Sequence, residues 1–163
     1  MTVEEMKSTD YQGLHYSPIT PRFGAELDAD KSLVAMNDDE VGALVQLAAN
    51  RGVVVVRDQG MTPQQQADFA HRLGRPLTTP MNKGELPEEL LLIQANEKSK
   101  GAAGTGWHSD VSSAVQPPGL SMLRMEVVPD AGGDTLFADM RQVFASLSPA
   151  MQEFLQTLTA RHE

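Results

Sequence analysis

The order of apolar and polar positions predicts two helices and a buried strand, then a run of strands, then helices again. Val41, Leu44, Val45 and Ala48 recur at the i, i+3, i+4, i+7 spacing of a core-facing stripe, which predicts a helix ending near residue 50. Asn37 or Asp38 caps it, Asp38, Asp39 and Glu40 complement the dipole in its first turn, and Arg51-Gly52 stops it. Residues 53–56 are an unbroken run of valine, the pattern of a strand buried on both faces. Arg57-Asp58-Gln59-Gly60 then turns the chain. Thr62 caps a second helix, with Pro63 at its first position and Gln65 completing a Thr-x-x-Gln capping box. This helix runs to Leu73 and stops at Gly74. Its apolar face is thin (Ala67, Ala70 and Leu73, with Phe69 nearby), which predicts a surface position.

Before the first helix, residues 14–19 and 23–27 read as short extended pieces, and Pro18 and Pro21 give the first of them an edge position. Residues 1–9 read as a loose tail. Residues 75–89, with Pro76, Pro80 and Pro87, form a loop of the kind that lines sites. Residues 90–94 read as a strand. Residues 96–106 are polar and glycine-rich, carry Lys98 and Lys100, and read as either a lid or a plain connector. Pro117-Pro118-Gly119 breaks the chain, residues 120–128 are strand-like, residues 129–133 turn, and residues 134–139 are extended again. Residues 142–147 are helical. Ser148-Pro149 starts a last helix that ends near His162, with Ala150, Phe154, Leu155 and Leu158 on one stripe. The expected class is α+β, centred on a sheet.

Composition narrows what such a fold could do. At 163 residues the chain is long enough for one domain with a sizeable core. Its net charge of −9 argues against nucleic acid or an anionic membrane as the main partner, although a local Arg or Lys still suits a small anion. With no cysteine there is no disulfide, thiolate metal site or cysteine nucleophile. No apolar run approaches a membrane span and the first ten residues lack a signal-peptide core, so the expected location is cytoplasmic.

The chemistry concentrates in Trp107-His108-Ser109-Asp110-Val111-Ser112. In an extended backbone, residues i and i+2 point to one face, so the tips of His108 and Asp110 can meet at one metal ion. They would supply one His and the carboxylate of a two-His-one-carboxylate triad, the set that leaves open positions on non-haem Fe(II). A bare His-x-Asp is equally the pattern of a half-buried His bonded to a nearby Asp.

Several motifs in the same order resemble the TauD/TfdA family of Fe(II)- and 2-oxoglutarate-dependent dioxygenases. They are residues 53–59, the helix start at 61–66, the stretch 107–112, Gln116-Pro117-Pro118-Gly119, and residues 132–139 from Gly132-Gly133-Asp134-Thr135 to Asp139. The stretches from residue 107 onward are most similar to the sulfonate-dioxygenase branch. The resemblance implies a double-stranded β-helix (jelly-roll, cupin-like) core with flanking helices. It implies His108 and Asp110 as iron ligands and Thr135 as a hydrogen-bonding partner for a carboxylate of the co-substrate 2-oxoglutarate. It further implies O2 and a small anionic substrate of the alkylsulfonate or alkylsulfate class, hydroxylated with release of succinate and CO2.

The chain departs from the family in two places. Family members complete the triad with a distal His and bind the far carboxylate of 2-oxoglutarate with an Arg a few residues later, and both would fall beyond residue 163. His15 (an edge-strand residue), His71 (a solvated helix residue) and His162 (a residue at the C-terminus of the last helix) are not expected to replace the former. Arg57, Arg72, Arg75 and Arg124 are unproven substitutes for the latter. Thr79 and Asn82 stand where taurine-specific relatives carry His and Tyr, which speaks against taurine itself. The expectation is therefore a single TauD/TfdA-like domain over residues 1–163, incomplete at its C-terminus. Its alternative is a catalytically incompetent member acting as a binding or oligomerising piece, its exposed sheet covered by a partner or a second copy.

Overall fold

The computed structural model describes residues 9–28, 30–78, 86–94 and 106–162. Its centre is a four-stranded mixed sheet in the order β1-β2-β3-β4. These strands are Thr9–Tyr11, Leu14–Pro18, Ala25–Leu27 and Val54–Val55. The first pair is an antiparallel hairpin with Thr9 opposite Tyr16 and Tyr11 opposite Leu14. Its two-residue turn places both Gln12 and Gly13 at positive φ, the geometry that matches the twist of the flanking strands. β2 and β3 are antiparallel, with Pro18 opposite Ala25, whereas β3 and β4 are parallel, with Ala25 opposite Val54. A parallel pair needs a crossover. Here it is helix α1, Asp38–Arg51.

Local signals explain where α1 starts and stops. Asn37 accepts from the Glu40 amide while the Glu40 carboxylate accepts from the Asn37 amide, a reciprocal capping box. Gly52 ends the helix at φ 78°. From the last turn Arg51 reaches across to the β2–β3 turn, donating to the carbonyls of Thr20 at 2.6 Å and Gly24 at 2.8 Å. Helix α2, Pro63–Leu73, carries the capping box expected of Thr62 and Gln65.

The core lies between the sheet and the two helices. Leu14, Ala25 and Leu27 from the strands meet Val41, Ala43, Leu44 and Leu47 of α1, with Met61 and Phe69 closing one end. Leu14 and Leu47 have no exposed surface, and burying such a side chain stabilises the fold by about 1.5–3 kcal/mol.

Several expectations are corrected. The 14–19 segment is an interior strand, because residues 9–11, read as the end of a tail, pair with it; residues 1–8 lie outside the described residues. The valine run yields a two-residue strand whose side chains are only half-buried, since β4 has one neighbour among the described residues. The α1 stripe is rotated, with Ala43 and Leu47 buried and Val45 and Ala48 at its margin. Helix α2 is sunk into the molecule rather than lying on it, with Gln66, Ala67 and Phe69 buried. Residues 90–94, 120–128 and 134–139 form no ladder among the described residues. An extended run becomes a strand only when a neighbouring strand takes its backbone N–H and C=O groups in register, and no strand pairs with these runs among the described residues. The expected jelly roll therefore appears among the described residues as one mixed sheet with helices.

Helix α3, Met140–Ser146, is capped by Asp139 and starts two residues earlier than expected, whereas α4, Pro149–Gln156, is capped by Ser148 and ends short of the expected residue 162. Phe154, Leu155 and Leu158 are exposed rather than packed. Residues 106–162 join the core at few points. Met122 packs against it, Arg124 donates to the Met61 carbonyl, and Arg141 donates to the Ala49 carbonyl at the end of α1, 2.8 Å away. No helix among the described residues is long and apolar enough to cross a membrane.

Candidate metal centre

The side-chain tips of His108 and Asp110 converge. Asp110 enters a turn closed by the Ala114 amide on the Val111 carbonyl at 3.0 Å. Val111 stands at φ 47°, a conformation that a β-branched residue adopts only at a cost of about 1–3 kcal/mol. This strain sits one residue from the carboxylate. Asp110 Oδ1 lies 3.4 Å from His108 Nε2.

The outer atoms of both groups are tied. His108 Nδ1–H donates to the Gly106 carbonyl at 2.8 Å, so in a neutral imidazole the lone pair would be on Nε2, the nitrogen facing Asp110. Ser121 Oγ donates to Asp110 Oδ2, so Oδ1 is the oxygen left facing the imidazole. Nε2 and Oδ1, 3.4 Å apart, are close enough for both to reach one ion. A neutral imidazole nitrogen and a hard carboxylate oxygen at that separation fit a divalent first-row metal such as Fe(II). No group of three His, Cys, Asp or Glu side chains converges among the described residues. Asp110, but not His108, lines a depression of about 300 Å³ together with Ser112, Pro117, Gly119 and Ser121 among others. The pair is not sealed, since the His108 and Asp110 side chains keep 58% and 50% of their surface exposed.

The other candidates fall elsewhere. Thr135 is exposed and does not line this depression. His15 lies on β2, 3.8 Å from Asp10 on the neighbouring strand. His71, expected to be merely solvated, meets Glu89 at 2.7 Å, and that hydrogen bond holds the Glu89 carboxyl below the usual carboxylate range. His162 is not on a helix, because α4 ends at Gln156. Its Nδ1 lies 3.1 Å from Ser112 Oγ at the rim of the depression. Arg57, Arg72 and Arg124 are engaged by Glu26, Asp38 and Glu126. Thr79, Asn82, Lys98 and Lys100 lie outside the described residues. Ser121 escapes a reading of the sequence because nothing local marks it: its partner is eleven residues away, across the Pro-Pro-Gly break.

Comparison with known proteins bears on this geometry. Residues 15–163 match the family model described as taurine catabolism dioxygenase TauD, TfdA family. The chain is 33% identical over 165 residues to an alpha-ketoglutarate-dependent sulfonate dioxygenase of Saccharomyces cerevisiae, covering 91% of this chain and 39% of that protein. It is 34% identical over 154 residues to a (S)-phenoxypropionate/alpha-ketoglutarate-dioxygenase of Sphingobium herbicidovorans, covering 90% of this chain and 52% of that one. The crystal structure of a taurine dioxygenase from Burkholderia xenovorans superposes with a TM-score of 0.69 at 25% identity, over 86% of this chain and 51% of that one. The chain thus spans about half the length, or less, of these relatives.

Proposed function

Because this chain belongs to the TauD, TfdA family of dioxygenases, we propose that it carries the His108–Asp110 half of an Fe(II) site in a 2-oxoglutarate-dependent dioxygenase. The observation that carries this reading is the convergence of His108 Nε2 and Asp110 Oδ1 at 3.4 Å with both outer atoms already bonded elsewhere. When bound, iron supplies the activation of O2 that couples oxidative decarboxylation of 2-oxoglutarate to succinate and CO2 with hydroxylation of a C–H bond. The protein's part is to bind and orient. With its Nδ1–H donated to the Gly106 carbonyl, a neutral His108 would offer Nε2, and Asp110 would offer an anionic oxygen that offsets part of the cation's charge. Thr135 is assigned to a carboxylate of the co-substrate, for which a hydroxyl is a neutral donor. The substrate is assigned to the small anionic class, alkylsulfonate or alkylsulfate, in keeping with relatives named as a sulfonate dioxygenase, an alkylsulfatase and a sulfate ester dioxygenase. The family fold, a double-stranded β-helix, would use residues 120–128 and 134–139 as strands.

An anaerobic titration of this chain with Fe(II) and 2-oxoglutarate tests the proposal. The visible charge-transfer band of the chelated complex is expected to appear, and to vanish in His108→Ala. A band that never forms, or that survives the substitution, refutes it.

A second reading, a binding or oligomerising piece without turnover, is favoured by one observation. Trp107, Val115, Val127 and Leu136 are all at least 70% exposed, and apolar surface of this kind marks contact with further protein. Sedimentation velocity separates the readings, because a self-associating chain without the charge-transfer band supports the second and rejects the first.

A further inference from the structure

We propose that Ser121 is a positioning residue for Asp110, fixing which carboxylate oxygen faces the metal. The inference rests on the metal reading given above and adds to it a residue with no metal-ligating chemistry of its own.

The argument starts from the freedom of an aspartate. Its terminal torsion is broad and roughly two-fold, so an exposed carboxylate has little intrinsic preference for either oxygen or for the plane in which it lies. Asp110 is half exposed, and the turn that follows it contains a strained Val111 rather than a rigid strand. Neither backbone nor packing therefore holds the carboxylate still. The bond from Ser121 Oγ to Oδ2 does hold it. With Oδ2 committed, Oδ1 is directed at His108 Nε2. The imidazole is held in the corresponding way by the Gly106 carbonyl, a backbone group that no side-chain substitution removes. Ser121 is thus the side chain through which the alignment of the pair can be altered without touching either donor.

The local chain makes the contact possible. The turn and bends over residues 110–116, followed by Pro117-Pro118-Gly119, leave Ser121 and Asp110 lining the same depression. Ser121 is itself exposed, and its hydroxyl supports no element of the core. Its removal should leave the fold intact and change the site alone. The bond also predicts the mode of ligation: a carboxylate whose second oxygen accepts from a hydroxyl gives one oxygen to the metal, not two.

The experiment uses Co(II), whose ligand-field bands report on coordination without turnover. Equilibrium binding is measured for the unaltered chain and for His108→Ala, Ser121→Ala and Ser121→Thr. Thermal unfolding of the metal-free proteins is recorded alongside. Loss of an outer hydrogen bond to a ligand is expected to weaken binding by about 10–100-fold in Ser121→Ala. Ser121→Thr, which keeps the hydroxyl, should bind close to the unaltered chain. At saturating metal the bands should shift in Ser121→Ala, as the freed carboxylate turns, and the metal-free melting temperature should not move. Unchanged affinity in Ser121→Ala beside lost binding in His108→Ala overturns the inference and leaves the metal reading standing. So does an affinity loss that merely follows a lowered metal-free melting temperature. Binding that is indifferent to His108→Ala overturns both.

Discussion

Gly52 joins α1 to β4, and replacing it with Ala should destabilise the protein through two separable effects. The first is conformational: φ 78° and ψ −41° lie in a region that L-residues avoid, at about 1–3 kcal/mol. The second is steric: a Cβ at this position would fall 2.2 Å from Phe23 Cε2, and overpacking of that kind costs about 1–3 kcal/mol. Phe23 is only half-buried and its ring can swing toward water, so the expected total is about 2–4 kcal/mol. Urea unfolding followed by far-UV circular dichroism measures it. Gly42→Ala is the control, because Gly42 sits inside α1 with nothing near its would-be Cβ, and there Ala should stabilise by about 0.5–1 kcal/mol. Repeating Gly52→Ala in a Phe23→Ala background removes the steric share and should reduce the penalty by about 1 kcal/mol or more. An equal penalty in both backgrounds refutes the clash. A Gly52→Ala protein within about 0.5 kcal/mol of the unaltered one refutes the whole account.

Three further outcomes are expected. Leu47→Ala, at a fully buried position between helix and sheet, should cost about 2–5 kcal/mol by chemical denaturation. Glu40→Gln keeps the capping box but loses the ion pair with Lys31 at 2.7 Å. Hydrogen bonding to Lys31 lowers the Glu40 pKa, and hydrogen bonding to Glu40 raises that of Lys31. The pair's contribution is therefore present from above the ordinary carboxylate range to below the ordinary lysine range. It is lost as pH falls through the lowered Glu40 value or rises through the raised Lys31 value. Melting curves of the two proteins against pH should thus differ most near neutrality and converge at both extremes. Finally, His162→Ala should leave Co(II) affinity unchanged, because its imidazole is held at Ser112 outside the converging pair. A measurable loss would make His162 part of the site.

What the sequence determined alone was mostly local. Thr62 declares its capping box, Gly52 and Gly74 declare the helix ends and Ser148 declares the start of the last helix, whereas the Asp139 cap of α3 was read as part of an extended run. Such signals act within a few residues and read directly from the chain. The His-x-Asp pair and its surrounding motifs were equally legible, because the family pattern is written in consecutive residues. Tertiary structure decided whatever depended on a distant partner. The 14–19 segment became an interior strand because residues 9–11 pair with it, and α2 sank inward because Phe69 found the core. Residues 120–128 and 134–139 have strand-like sequences, yet without a neighbouring backbone they form no ladder among the described residues. The His108–Asp110 pair shows both sides of this division. The two residues stand two positions apart in the sequence, and their side-chain tips meet at 3.4 Å just before the strained turn at Val111. Their orientation comes from Gly106 and from Ser121 beyond the Pro-Pro-Gly break. Side-chain type is a property of the sequence, whereas the aim of a side chain is set by contacts that only folding brings together.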